Sequence, residues 1–194
     1  MKLLHIDSSA LGNHSVSRAL SARIVDELKR QHPGLEVRHR DLAAQSLSHW
    51  LPAADASDPA ARAGSDALEE FLAADVVVIG SPMYNFGISS QLKAWIDRVV
   101  VAGKTFRYTA EGPQGLVGGK RVIVASSRGG IYGPGSAGAA MDFQEPYLRA
   151  VFGFLGVPEV EFIRAEGLNL GEEHKSNALA SAHESIGKLF AQAA

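Results

Sequence analysis

Val76, Val77, Val78 and Ile79 are four β-branched apolar residues in a row. A run so short and so uniformly apolar has no solvent face. It therefore calls for a sheet covered on both sides, which in turn means parallel strands joined by helical crossovers. The rest of the chain reads around this central strand. Lys2 to Asp7 is a first apolar run that ends in a cluster of Ser, Gly and Asn, and Leu20, Ile24, Val25 and Leu28 then repeat at helical spacing until Pro33-Gly34. Leu35 to Arg40 alternates weakly as a second strand. After the central strand, Ile88, Leu92, Trp95, Ile96, Val99 and Val100 form one helical stripe. Residues 104–118 read as a hairpin or structured excursion, 121–126 as a fourth sheet strand, and Tyr147 to Leu155 as a helix ending at Gly156. Val160, Phe162 and Ile163 mark a fifth strand, and a last helix carries Leu179, Ile186, Leu189 and Phe190.

This alternation predicts an α/β three-layer sandwich: a five-stranded parallel sheet in the order 2-1-3-4-5, counting sheet strands, with helices on both faces. Residues 43–66, rich in Ala, Ser, Asp and Pro, read as an insertion between strands two and three, placed to cover the site. At 194 residues, with 46% hydrophobic and 21% charged, the chain suits a single domain over 1–194. Nineteen basic against twenty-one acidic residues give a net charge of -2, so neither nucleic acid nor anionic membrane is favoured as a partner. The absence of cysteine removes disulfides, thiolate catalysis and thiolate metal sites, and the seven histidines include no H-E-x-x-H pair, so no metal is expected. The N-terminus turns polar by Asp7 and no apolar run approaches a membrane span, so the expected location is the cytoplasm.

In a sheet of this order, ligands sit beyond the carboxyl ends of the strands, beside the point where strand order reverses. The loop after strand one holds Ser8, Ser9, Gly12, Ser15, Val16 and Ser17 and feeds a helix start. It reads either as a phosphate site built from amides and hydroxyls or as a plain serine cap. The loop after strand three, Pro82-Met83-Tyr84-Asn85-Phe86, is either a platform for a planar aromatic ligand or a hydrophobic loop folded onto its own helix. The loop after strand four, Ser127-Arg128-Gly129-Gly130, offers close backbone approach and a cation, or else a glycine turn with a solvated arginine. Gly133, Gly135 and Gly138 form the only G-x-G-x-x-G, but they do not join a strand directly to a helix.

Taken in order, Ser9 with Ser15-Val16-Ser17, the run Pro82 to Phe86, Gly103 to Thr109, and Ser127 to Gly130 closely resemble the flavodoxin-like FMN-dependent NADH azoreductases, also described as NADH:quinone oxidoreductases. The resemblance implies one FMN per subunit, its phosphate on Ser9, Ser15, Val16 and Ser17, and its ring on Pro82, Met83, Tyr84, Asn85 and Phe86 with Ser127, Arg128, Gly129 and Gly130. In that setting Arg128 would supply positive charge to the pyrimidine end. The resemblance also implies homodimers with sites at the interface, Phe106 and Tyr108 at the substrate pocket, and ping-pong transfer of hydride from NADH through FMN N5 to quinones or aromatic azo compounds. No acid–base side chain is assigned a catalytic role, because the cofactor carries the chemistry. Tyr108 and Tyr132 are open to two readings, proton donor or packing aromatic. A flavodoxin-type electron carrier is the main rival, although such carriers are generally strongly acidic. A non-flavin phosphate-binding domain would leave the run Met83 to Phe86 unexplained.

Overall fold

The computed structural model of the chain describes residues 1–52, 55 and 57–191. Its sheet strands are β1 (Lys2–Asp7), β2 (Glu36–Asp41), β3 (Val76–Pro82), β6 (Arg121–Ser127) and β7 (Val160–Ala165). A separate antiparallel hairpin consists of β4 (Phe106–Thr109) and β5 (Gly112–Gly115). The helices are α1 (Val16–Gln31), α2 (Pro59–Ala73), α3 (Ser90–Val99), α4 (Glu145–Phe154) and α5 (Glu172–Ala191). All sheet pairings are parallel, in the order β2-β1-β3-β6-β7, which is the expected 2-1-3-4-5 once the hairpin is set aside.

The alternation of side chains divides the core in two. Leu3, Val76, Val78, Ile123 and Ala125 face α1 and α5, where they meet Leu20, Ile24, Ile186 and Phe190. Leu4, Ile6, Val77, Ile79, Val122 and Val124 face α2, α3 and α4, against Phe71, Leu92, Trp95, Leu148 and Phe152. Every residue of β3 is buried, as the apolar run Val76 to Ile79 at its start requires of a central strand.

The reading of 43–66 as an insertion needs correcting. Asp58 caps α2 by accepting from the Ala60 N–H at 2.8 Å, Pro59 occupies the first turn, and Ala67, Leu68 and Phe71 are buried. Residues 59–73 are therefore the regular crossover helix, whose small residues disguised its apolar stripe. Residues 53, 54 and 56 of that stretch lie outside the described residues. The segment just before them is fastened by Arg98, whose guanidinium donates to the Ser48 and His49 carbonyls, the Ser48 hydroxyl and the Ala60 carbonyl. Arg98 lies at the C-terminal end of α3, whereas the loop after β3 feeds its N-terminal end. The ends of a ten-residue helix are about 15 Å apart, so this part does not roof the loop in its own subunit.

Candidate functional site

Three loops leave the carboxyl edge of the sheet at β1, β3 and β6, on either side of the reversal of strand order. Their spacing depends on Gly80. A Cβ there would lie 2.6 Å from Asp7 Oδ1 and 3.1 Å from the Ser17 carbonyl, so only glycine lets the start of α1 seat against β3. Ser8 fastens the exit of β1, its amide and hydroxyl both donating to the Gly80 carbonyl, at 3.1 and 2.8 Å.

Beyond Ser9 a single 3₁₀ turn over Gly12–His14, with Gly12 at φ +53°, brings the chain to Ser15. Ser15 is the N-cap of α1, accepting from the Arg18 N–H at 3.3 Å, and its hydroxyl lies 3.1 Å from that of Ser17. Ser9, Ser15 and Ser17 are all buried. Among the described residues the Val16 and Ser17 amides in the first turn donate to no acceptor, so two N–H groups and the positive end of a sixteen-residue helix remain available. Sequence reasoning missed Arg18. Its guanidinium donates to the Ser9 carbonyl at 2.9 and 3.3 Å and to both Asp41 oxygens at 2.6 Å. This bidentate hydrogen bond lowers the Asp41 carboxyl to about 2.

The second loop is a two-residue turn. Tyr84 and Gly87 exchange backbone hydrogen bonds at 3.0 and 3.1 Å, and both central residues have positive φ, Asn85 at 48° and Phe86 at 72°. Asparagine tolerates that region, whereas a phenylalanine there is strained by about 1–3 kcal/mol and persists only where its surroundings enforce it. Here the Phe143 N–H donates to the Phe86 carbonyl at 3.0 Å, and the Tyr132 ring meets the Phe86 ring edge-on at 5.9 Å. Both supports come from 131–145, the segment whose sequence carries no mappable motif. Tyr132 thus packs as an aromatic beneath the turn. Among the described residues the Asn85 and Phe86 amides are left without acceptors. The Tyr84 hydroxyl reaches back to Ser9 Oγ at 3.3 Å and accepts from the Ala10 N–H at 3.2 Å, tying the second loop to the first. Beside the turn lies a cleft of about 630 Å³, lined by Tyr84, Asn85, Ile88, Phe143 and Tyr147 among others. Burial pushes the Tyr147 phenol above its ordinary value, with Lys93 partly opposing the shift.

The third loop is pinned through its backbone. Ser127 accepts from Met83, Arg128 donates to Ala165, and Gly129 and Gly130 accept from Asn169 and Gly167. A Cβ on Gly129 would press on the Asn169 amide at 2.6 Å, and one on Gly130 on the Tyr132 hydroxyl at 2.9 Å. The side chain of Arg128 is not where the sequence placed it. It is 1% exposed and donates inward to Ser126, Gln144, Glu145 and Glu166, with Asp142 3.0 Å away. Three carboxylates consume its charge, so the guanidinium offers no cation to a ligand. Gln144 extends this network to the Ser81 carbonyl and hydroxyl on β3.

Phe106 is 8% exposed and packs against Phe154 in its own subunit, ring centroids 4.6 Å apart. Tyr108 is 75% exposed on the outer hairpin, and neither residue lines the cleft beside Asn85. The structure thus brings Ser9, Ser15, Val16, Ser17, Pro82 to Phe86 and Ser127 to Gly130 to one edge, and leaves Phe106 and Tyr108 apart from it.

Comparison with known proteins agrees with this fold. The family model described as a flavodoxin-like fold matches residues 1–190. The FMN-dependent NADH:quinone oxidoreductase of Methylocella silvestris is 57% identical, over 98% of this chain and 100% of its own. That of Sinorhizobium fredii is also 57% identical, over 96% and 95%. Among solved structures, an azoreductase from Bacillus anthracis superposes with a TM-score of 0.86 at 28% identity, over 98% of both chains. An FMN-dependent NADH-azoreductase from the same species, in complex with FMN, gives 0.85 at 25% identity, over 97% and 98%.

Proposed function

The chain belongs to the flavodoxin-like family of FMN-dependent NADH:quinone oxidoreductases, and on that premise we propose that it is a single-domain flavoenzyme, working as a homodimer, which carries electrons from NADH to quinones and aromatic azo compounds by ping-pong exchange. FMN, when bound, supplies the centre that accepts hydride from NADH and returns it to the second substrate. The observation that carries the reading is the convergence of unspent backbone N–H groups from separate loops on one edge of the sheet.

The first turn of α1 fits a phosphate dianion. Val16 and Ser17 offer amides, Ser9, Ser15 and Ser17 offer hydroxyls, and the helix dipole favours negative charge there. Pro82, Met83 and the turn at Tyr84, Asn85 and Phe86 suit one side of a planar ring, with the Asn85 and Phe86 amides free for its heteroatoms. Ser127 to Gly130 suit the opposite edge through their backbone alone, Arg128 being a brace beneath them. Hydrogen bonding from amides held by the fold needs no side-chain rearrangement during the reaction, which is how a protein tunes a redox cofactor without an acid–base residue.

The dimer reading rests on Phe86, Ile131, Met141 and Phe143, all exposed in or next to the segments that form the site, where a second subunit would cover them. Tyr108, facing outward, would then serve the partner's pocket. Dependence on NADH favours the cytoplasm. Among the described residues no helix is long and apolar enough to cross a membrane.

Anaerobic mixing tests the reading directly. NADH should bleach the flavin band of the FMN-loaded protein, and a small quinone should restore it. A bound flavin that NADH leaves unbleached would favour the electron carrier, and failure to bind FMN would overturn the assignment of all three loops.

A further inference from the structure

One group of side chains outside the three loops is arranged for chemistry that the proposed reaction does not use. His5 and Asp7 are two residues apart on β1, so both project toward α1, and the parallel register sets His39 of β2 beside His5. His39 Nε2 lies 3.0 Å from Asp7 Oδ2, and His5 Nε2 lies 3.6 Å from Asp7 Oδ1. The two rings tilt against each other with centroids 4.6 Å apart. One ligand atom from each of the three residues falls within 4.8 Å of the other two. The sequence carries no closely spaced zinc-type motif, and these donors meet only because two strands pair in this register.

We propose that His5, Asp7 and His39 form a binding site for a divalent first-row transition ion, with Zn²⁺, Co²⁺ or Ni²⁺ as its class, held by two imidazole nitrogens and one carboxylate oxygen. This donor set favours such ions over Mg²⁺ and Ca²⁺, which prefer oxygen ligands throughout. The 3.0 and 3.6 Å separations run to different oxygens of Asp7, and one ligand atom from each residue lies within 4.8 Å of the other two, against the roughly 3 to 3.4 Å set by metal–ligand bonds of about 2.0–2.1 Å at octahedral or tetrahedral angles, so a turn of the Asp7 carboxylate and a small closing of the rings complete the set. The backbone positions are fixed by the strand ladder rather than by a loop. Ser21 Oγ donates to Asp7 Oδ1 at 2.9 Å and holds the carboxylate from α1, while its 2.9 Å contact with His5 Nε2 is the one an ion would displace. His5 and Asp7 are buried while the His39 side chain is 49% exposed, which gives an ion a path from solvent and leaves its outer positions to water. Arg18 approaches Asp7 to 3.8 Å, but its charge is already matched by the two 2.6 Å contacts with Asp41.

The test uses untagged, FMN-loaded full-length protein titrated with Co²⁺, read by calorimetry and by the visible absorption of the bound ion, and then with Zn²⁺, read by the thermal midpoint. The expected result is one ion per chain and a rise in midpoint with Zn²⁺. H39Q and H5Q should each weaken binding by about 100-fold or more and abolish that rise, with circular dichroism and flavin content unchanged. His39 is half exposed, so H39Q decides the matter even if H5Q fails to fold. Absence of saturable one-to-one binding, or binding undiminished in H39Q, overturns the site.

Discussion

Two residues whose roles change between sequence and structure make the sharpest predictions. Arg128 stands in the sequence as a cation for the ligand, yet it is surrounded by Asp142, Glu145 and Glu166 beneath the loop. Its removal would leave Asp142 and Glu166 without their cation in a largely buried network, Glu145 keeping Arg164, and losses of this kind are about 3–5 kcal/mol. Arg128→Ala is therefore expected to lower the urea midpoint severely, and an unchanged midpoint would mean that the acids are solvated. Ser17 is the opposite case, since among the described residues its hydroxyl meets only that of Ser15. Ser17→Ala should leave stability near that of the parent and weaken FMN by about tenfold, the worth of one hydrogen bond to a charged group, as read by equilibrium dialysis. Asp41 adds a pH dependence. Its carboxyl is held at about 2 by the hydrogen bonds from Arg18, below the ordinary 3.8. The stability it contributes is full above the ordinary value and is lost as pH falls from there toward about 2. The gap between the denaturation midpoints of the parent and Asp41→Asn should be smaller at about pH 3 than at about pH 5.

At the scale of elements, the informative feature is a turn that opposes local preference. Phe86 at φ +72° is held by Phe143 and Tyr132, both from a segment between β6 and α4. Phe86→Gly removes an aromatic contact but also relieves about 1–3 kcal/mol of backbone strain, so global stability should shift by less than a large-to-small change ordinarily produces. Flavin affinity should nevertheless fall, because the ring contact with Tyr132 is lost and a glycine leaves the turn held by its backbone bonds alone. A loss of several kcal/mol in denaturation would mean that the strain is not relieved. The strands and helices α1, α3 and α4 were legible from the sequence because β3 opens on four apolar residues and these helices carry clear stripes. The helix α2 was not, since alanines and Gly64 dilute its stripe and Asp58-Pro59 resembles a loop. The three site loops could be found from their unusual composition for strand ends. The supports from Arg18, Tyr132, Phe143 and Gln144 could not, because each acts across a long sequence separation through hydrogen bonds or ring contacts.

Across the molecule the sheet is covered by an apolar layer on each face, while the edge that carries the loops is left with exposed Phe86 and Phe143. Sedimentation should give a dimer at micromolar concentration, and Phe143→Asp should shift it toward monomer while leaving the fold intact. A dimer unaffected by that change would place the interface elsewhere. The Tyr84 hydroxyl has a further consequence. By touching Ser9 and Ala10 it makes the turn proposed to lie under the ring and the loop proposed to cradle the phosphate a single mechanical unit. Ordering either end should then lighten the entropic burden of ordering the other, and linkage requires the benefit to be equal in both directions. On that view, riboflavin and inorganic phosphate supplied as separate molecules should each bind more tightly in the presence of the other, and Tyr84→Phe should make them indifferent to one another.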